Sequence, residues 1–183
     1  DGSVEEWEPH SLSLLAKYPS FLGHIGSLAY RTSDQLVSIT CTDSEIRLMD
    51  ARTGEILRTH PTPYSLCGWN SGLTINHTGT FAAMTTGGRG FTLWNLTTGE
   101  SNTFDEPFGT QALVFTEDDQ YIAVLSMYGI VFLWDMDGNK ILQTNSDPEG
   151  QRDYGNMGCL ALSVDASQYA WAGYDIGVGD LEE

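Results

Sequence analysis

A plan roughly forty residues long recurs along this chain, and a recurring unit of that length restricts the fold more than any local propensity does. Three segments align without internal gaps: 28–50, 73–95 and 113–135. A fourth, 159–183, follows more loosely. Each opens on an alternating stretch that puts Leu28 with Tyr30, Leu73 with Ile75, and Leu113 with Phe115 on one face of a strand, with Ala161 and Ser163 as a weak fourth pair. Polar turns follow at 31–34, 76–79, 116–119 and 164–167, and their Asx and Gly residues accept tight geometry. Second strands come next at 36–40, 81–85, 121–125 and 169–173. From the approach residues Gln35, Thr80, Gln120 and Gln168 to the third-strand endings Asp50, Asn95, Asp135 and, with no gap allowed, Glu183 is 15 positions each time.

The third strands are therefore expected at about 46–49, 91–94, 131–134 and just before Glu183. After the endings, turns at 51–54, 96–99 and 136–139 lead into polar strands at 55–59, 100–104 and 140–144. Their Glu, Arg, Asn and Lys content suits the outer edge of a sheet, where charge discourages pairing with another chain. Trp7-Glu8 reads as the tail of an earlier third strand, with 12–18 as its outer strand. One such four-stranded sheet cannot bury both faces alone, so neighbouring units must stack.

The period, the endings Trp94-Asn95 and Trp134-Asp135, and the Gly23-His24 pair ahead of a first strand resemble the WD-repeat family. That resemblance implies an all-β fold of β-propeller blades, each a four-stranded antiparallel sheet, with about four repeats in a partial or half propeller. The segments are then 1–8 as the end of a preceding repeat, followed by repeats 9–50, 51–95, 96–135 and a degenerate 136–183. Successive endings at Glu8, Asp50, Asn95, Asp135 and Glu183 lie 42, 45, 40 and 48 residues apart. In the family, a His and an Asp join a Ser or Thr and the Trp in a buried hydrogen-bond network. Only the first repeat has both Gly23-His24 and Asp43, and there Met49 replaces the Trp. Gly88 and Tyr128 stand where the Asp belongs in the next two. A ring normally closes with about six to eight blades. The missing initial Met, with both ends beside third-strand endings, suggests a segment of a longer polypeptide; the expected ring is then a fragment of a larger propeller, a half-propeller pairing with itself to make eight blades, or a closed four-bladed ring.

Acidic residues outnumber basic ones by 25 to 8, a net charge of −17 that repels nucleic acid and favours a basic protein partner. The eight cations are scattered singly. No run of eighteen apolar residues occurs, and the first eight residues carry four acids and no base, so neither a membrane span nor a signal peptide is expected. Cys41, Cys67 and Cys159 lack close spacing, which favours a reduced compartment: intracellular, cytoplasmic or nuclear. Asn76-His77-Thr78 and Asn95-Leu96-Thr97 match the glycosylation pattern, a frequent chance match.

Catalytic signatures are not found. His10, His24, His60 and His77 share no metal-ligand spacing, and Gly87-Gly88-Arg89-Gly90 lacks the Lys and helix of a phosphate loop. Asp135-Met136-Asp137-Gly138-Asn139 has its glycine two places early for a calcium loop and reads as a turn. Glu117-Asp118-Asp119 reads as a solvated hairpin tip, at most a weak cation holder. First-strand positions Leu28, Leu73, Leu113 and Ala161, with Ser27, Gly72, Ala112 and Leu160 opposite, would line the axis without a catalytic group. The expected function is a non-catalytic protein-interaction scaffold without cofactor or metal. Its ring would be completed by blades from the same parent chain, a second copy or another subunit. A propeller enzyme or metal site in the central channel, and the ligand-sensing end of a large signalling protein, are the alternatives. In this family the loops before first strands and between second and third strands share one rim. Trp69, Phe108 and Tyr154 fall in the former set and Arg89, Tyr128 and Tyr174 in the latter, as candidate partner-binding residues.

Overall fold

The computed structural model describes residues 4–18, 25–31, 35–40, 45–50, 53–61, 72–86, 90–106, 109–145, 158–172 and 176–181. Every regular element among them is a β-strand. No helix is long and apolar enough to cross a membrane. The chain divides into two compact units, 1–67 and 68–183.

In the first unit, β1 (Val4–Trp7) pairs with β2 (Leu14–Tyr18), and β3 (Ile25–Arg31), β4 (Gln35–Thr40), β5 (Glu45–Asp50) and β6 (Ile56–Pro61) form a four-stranded antiparallel sheet. Val4, Tyr18 and Met49 bury one small cluster. The expected outer strand after Trp7-Glu8 and the third strand ending at Met49-Asp50 are both present. Leu28 stands 43% exposed on β3.

The second unit holds three sheets, each antiparallel and each running in chain order from its first strand. They are β7 (Leu73–Ile75), β8 (Phe81–Thr85), β9 (Gly90–Asn95) and β10 (Ser101–Asp105); then β11 (Thr110–Phe115), β12 (Tyr121–Ser126), β13 (Ile130–Asp135) and β14 (Lys140–Asn145); then β15 (Cys159–Leu162), β16 (Gln168–Ala172) and β17 (Ile176–Asp180). The first strand of the middle sheet, β11, packs against β7 on one side and β15 on the other. A sequence repeat and a sheet are thus offset by one strand, because the strand that opens each repeat closes the sheet before it.

Strand periodicity explains the stacking. On the middle sheet Leu113, Phe115, Ile122, Val124, Phe132 and Trp134 face the sheet before it and share a core with Ala83, Phe91 and Leu93. The alternate positions, Ala112, Val114, Ala123, Leu125, Val131 and Leu133, join a second core with Tyr169, Trp171, Leu160 and Leu162 of the sheet after it. A sheet buried on both faces needs apolar residues at both parities, which is what Ile122-Ala123-Val124-Leu125 supplies. Each large side chain in these layers contributes about 1.5–3 kcal/mol by leaving water. Register shifts recur just before the bulky ending residue, at Glu6/Trp7, Leu48/Met49 and Leu133/Trp134. A bulge there adds local twist to the third strand.

The Asx endings have a local cause. Asp50 Oδ1 accepts the Thr53 N–H, Asn95 Oδ1 accepts those of Thr97 and Thr98, and Asp135 Oδ1 accepts those of Asp137 and Asn139. Each turn is completed by a glycine at positive φ: Gly54 at 75°, Gly99 at 84° and Gly138 at 88°. The residue at the end of the third strand is a turn acceptor, and that chemistry operates whether or not a Trp precedes it. Gly23-His24 and Asp43 lie outside the described residues.

The fourth repeat breaks the constant interval. Gln168 pairs with Asp180 and Tyr169 with Gly179, so the third strand ends at Asp180 and not at Glu183. Gln168 meets its partner Asp180 after 12 residues, so the ungapped interval of 15 overshoots the end of the strand. Gly179 is required by this pairing, since a Cβ there would lie 2.5 Å from the Tyr169 ring.

Candidate binding surface

Of the six candidate rim residues, Trp69, Arg89, Phe108, Tyr154 and Tyr174 lie outside the described residues. Tyr128 is described. It sits in the turn between β12 and β13, where the buried Ser126 accepts the N–H groups of Tyr128 at 3.3 Å and Ile130 at 3.0 Å through its hydroxyl. Gly129 takes φ 73° and donates its N–H to the Ser126 carbonyl at 3.2 Å. These bonds fix the turn and leave the Tyr128 side chain 46% exposed. A ring with few rotatable bonds on a braced turn loses little entropy on contact, the property that suits Tyr to recognition.

The same end of the sheets carries polar residues that the sequence reading passed over. Thr110 is buried opposite Ser126 at the start of β11, and Thr85 at the end of β8 accepts the Gly72 N–H at 3.1 Å. Hydroxyl residues closing an apolar strand ahead of a turn were the available signal.

At the opposite end, the turns after the first strands dock on one another. Asp119, at φ 59°, reaches back to the turn of the preceding sheet. Its carboxylate accepts the His77 N–H at 2.6 Å, the Thr78 N–H at 2.8 Å and the Asn76 side-chain amide at 3.0 Å. The reading of Glu117-Asp118-Asp119 as three solvated acids is therefore corrected for Asp119, which ties two sheets together. Asn76 is itself buried, with its side-chain Oδ1 accepting the Thr80 and Phe81 N–H groups, so its place in a glycosylation pattern is occupied by structure. His77 lies 3.6 Å from Glu117 across the same gap.

The next gap is built differently. Ala166 holds the position of Asp119, with a matching φ of 55°, and has no carboxylate to offer. A cleft of about 290 Å³ remains, lined by Thr116, Glu117, Asp118, Val164, Asp165 and Ala166. Its acids serve their own turns. The Asp118 carboxyl is held below its ordinary range by the Thr116 hydroxyl and then the Gln120 N–H. The Ser163 hydroxyl, helped by the Ser167 N–H and hydroxyl, brings Asp165 down to about 2 from an ordinary 3.8. The Asp135 carboxyl is likewise lowered, chiefly by the Asn139 side chain. Among the described residues no group of three or more His, Cys, Asp or Glu is placed to hold a metal ion. Cys159 is free and exposed; Cys41 and Cys67 lie outside the described residues.

The depressed Asp165 carboxyl sets a pH signature. A folded value below the unfolded one makes its contribution complete above about pH 4 and progressively lost as pH falls toward about 2. Denaturant titrations of the protein and of Asp165→Ala should show a stability difference that closes across that window. A difference that stays constant through it would mean the turn's hydrogen bonds do not distinguish the ionised form.

No protein-family model and no curated protein sequence matches this chain.

Proposed function

We propose that this chain is a segment of a WD-repeat-type β-propeller acting as a non-catalytic scaffold, which binds a protein partner on the rim that carries Trp69, Arg89, Phe108, Tyr128, Tyr154 and Tyr174. The observation that supports this reading is the middle sheet of the second unit, β11–β14, buried on both faces between like sheets. In a stack of that kind the sheet faces are consumed by packing, and the end loops are left to carry recognition. Tyr128, braced by Ser126 and exposed, has the form of an interface anchor. With 25 acidic against 8 basic residues, the partner surface that fits best is basic. Further blades, from the parent chain, a second copy or another subunit, complete the ring, and the scattered cysteines accord with an intracellular, cytoplasmic or nuclear setting.

The test is an alanine scan read against a partner captured by a photocrosslinker placed beside Tyr128. Tyr128→Ala should weaken binding about 30-fold or more, the size of a hot-spot loss. Folding stability should move by less than about 0.5 kcal/mol, as for an ordinary surface change. If Trp69, Arg89, Tyr128 and Tyr174 can all be truncated without weakening any partner, the rim is not the recognition surface and the outer strands take its place.

A further inference from the structure

The turns that join third to fourth strands share one hydrogen-bond plan. In three of them a glycine donates its N–H to the carbonyl of the strand's last residue: Gly54 to Asp50, Gly99 to Asn95 and Gly138 to Asp135. All three glycines have φ between 75° and 88°. The turn between β1 and β2 is built the same way. Leu12 donates its N–H to the Glu8 carbonyl at 2.8 Å, the Glu8 N–H goes to the Ser13 carbonyl at 2.9 Å, and the Glu8 carboxylate accepts the Ser11 N–H. The residue at the left-handed position here is leucine, at φ 52°.

An L residue is strained in that conformation because its Cβ crowds the following carbonyl oxygen. Strain of this kind persists where the surroundings or a function retain it. Packing within the chain does not retain this one, since Leu12 is 73% exposed. Trp7, its cross-strand partner Leu14, and Leu15 flank the same turn and are exposed as well. At the matching place in the middle sheet, the space a Cβ would take on Gly138 is filled by the Phe104 ring of the sheet before it. Leucine at position 12 keeps that space for its own side chain, so this surface is shaped for a different occupant from the sheet-on-sheet contact seen there.

Charge states what that occupant is. Glu5, Glu6 and Glu8 surround the apolar residues, and the one lysine of the segment, Lys17, is already paired with Glu5 at 2.8 Å. An apolar centre with a charged rim is the anatomy of a protein-binding patch, and an acidic rim complements basic side chains, whose long stems also cover apolar surface. We propose that the Trp7–Leu15 turn, with Leu12 at its tip, is a docking surface for a basic amphipathic segment of a partner protein. Its apolar side chains seat against Leu12 and the exposed residues flanking it, and its lysine or arginine heads face Glu5 and Glu8. This inference does not depend on what the rim beside Tyr128 binds.

The probe is a peptide of alternating leucine and lysine, which places the two residue types on opposite faces when extended. Titrated by fluorescence anisotropy into the full chain, it should bind at least about tenfold more tightly than a peptide of alternating leucine and glutamate. Leu12→Gly installs the residue that the other three turns carry, so it keeps the fold. Affinity for the lysine peptide should then fall at least about tenfold, as for a contact residue. The melting temperature should hold or rise by up to about 4 °C as the strain is released. Leu12→Asn, polar but tolerant of the left-handed backbone, should weaken binding to a similar extent. Tyr128→Ala should leave it unchanged. Equal binding of the two peptides, an affinity that Leu12→Gly does not alter, or a matching loss in Tyr128→Ala would overturn the proposal. So would a melting temperature lowered by Leu12→Gly, which would make Leu12 a structural residue, or a dimer that Leu12→Gly disperses, which would assign the surface to a second copy of the chain.

Discussion

Truncation of Trp134 to alanine is expected to cost about 3–5 kcal/mol, the range for deleting a buried aromatic from a core that cannot collapse around the gap. Trp134 is 7% exposed and touches Phe91 at 5.5 Å and Phe104 at 6.0 Å between ring centres, so the loss falls on the joint between two sheets. Trp94, at 1% exposure, should behave alike on truncation. Phenylalanine at 134 should cost far less than alanine. The indole Nε1 of Trp134 is buried with no hydrogen-bond partner among the described residues, and removing such a donor recovers part of its desolvation penalty, about 1–3 kcal/mol. Chemical denaturation of the three proteins checks both statements. A loss below about 1 kcal/mol for both alanine variants would mean that the repeat register is misplaced.

Gly90→Ala is expected to be comparably severe for a different reason. Gly90 adopts φ 136°, a conformation L side chains rarely take, and a Cβ on it would lie 2.0 Å from the Phe104 carbonyl oxygen across the strand pair. The obstacle is backbone, which cannot rotate away. Strain of about 1–3 kcal/mol for the dihedral adds to the cost of separating β9 from β10, for a total of about 3–5 kcal/mol. A variant that melts within a few degrees of the unmodified protein would show that the β9–β10 edge yields easily. Gly90, the last residue of the Gly87-Gly88-Arg89-Gly90 stretch, is thus fixed by its neighbour.

Much of the architecture was legible because strand periodicity and turn chemistry are local. The expected third strands at 46–49, 91–94 and 131–134 fall inside β5, β9 and β13, and the expected outer strands overlap β6, β10 and β14 with bounds shifted by up to two residues. What the pattern could not show was whether an alternating face is covered. Leu28 and Leu113 occupy the same place in their repeats, yet one is 43% exposed and the other 8%. Nor did spacing reveal that β17 ends at Asp180, since an ungapped alignment carries the interval of the earlier repeats forward unchanged. The least legible features join residues far apart in sequence. Nothing near Asp119 announces Asn76, and nothing near Lys140 announces Glu106; these pairs exist only once the sheets are stacked. For the rim, Tyr128 lies where its turn position implied, exposed beside Ser126, while the other five candidates fall outside the described residues.

The substitution of Ala166 at the position of Asp119 has a mechanical consequence. At one joint of the second unit a carboxylate stitches the turn tips together through three donors; at the next, a cleft of about 290 Å³ separates them. Stiffness is therefore distributed unevenly along the stack. A torque applied to the tips would be absorbed as an angular change between the β11–β14 and β15–β17 sheets before the tied pair moved, which makes that joint the more compliant of the two.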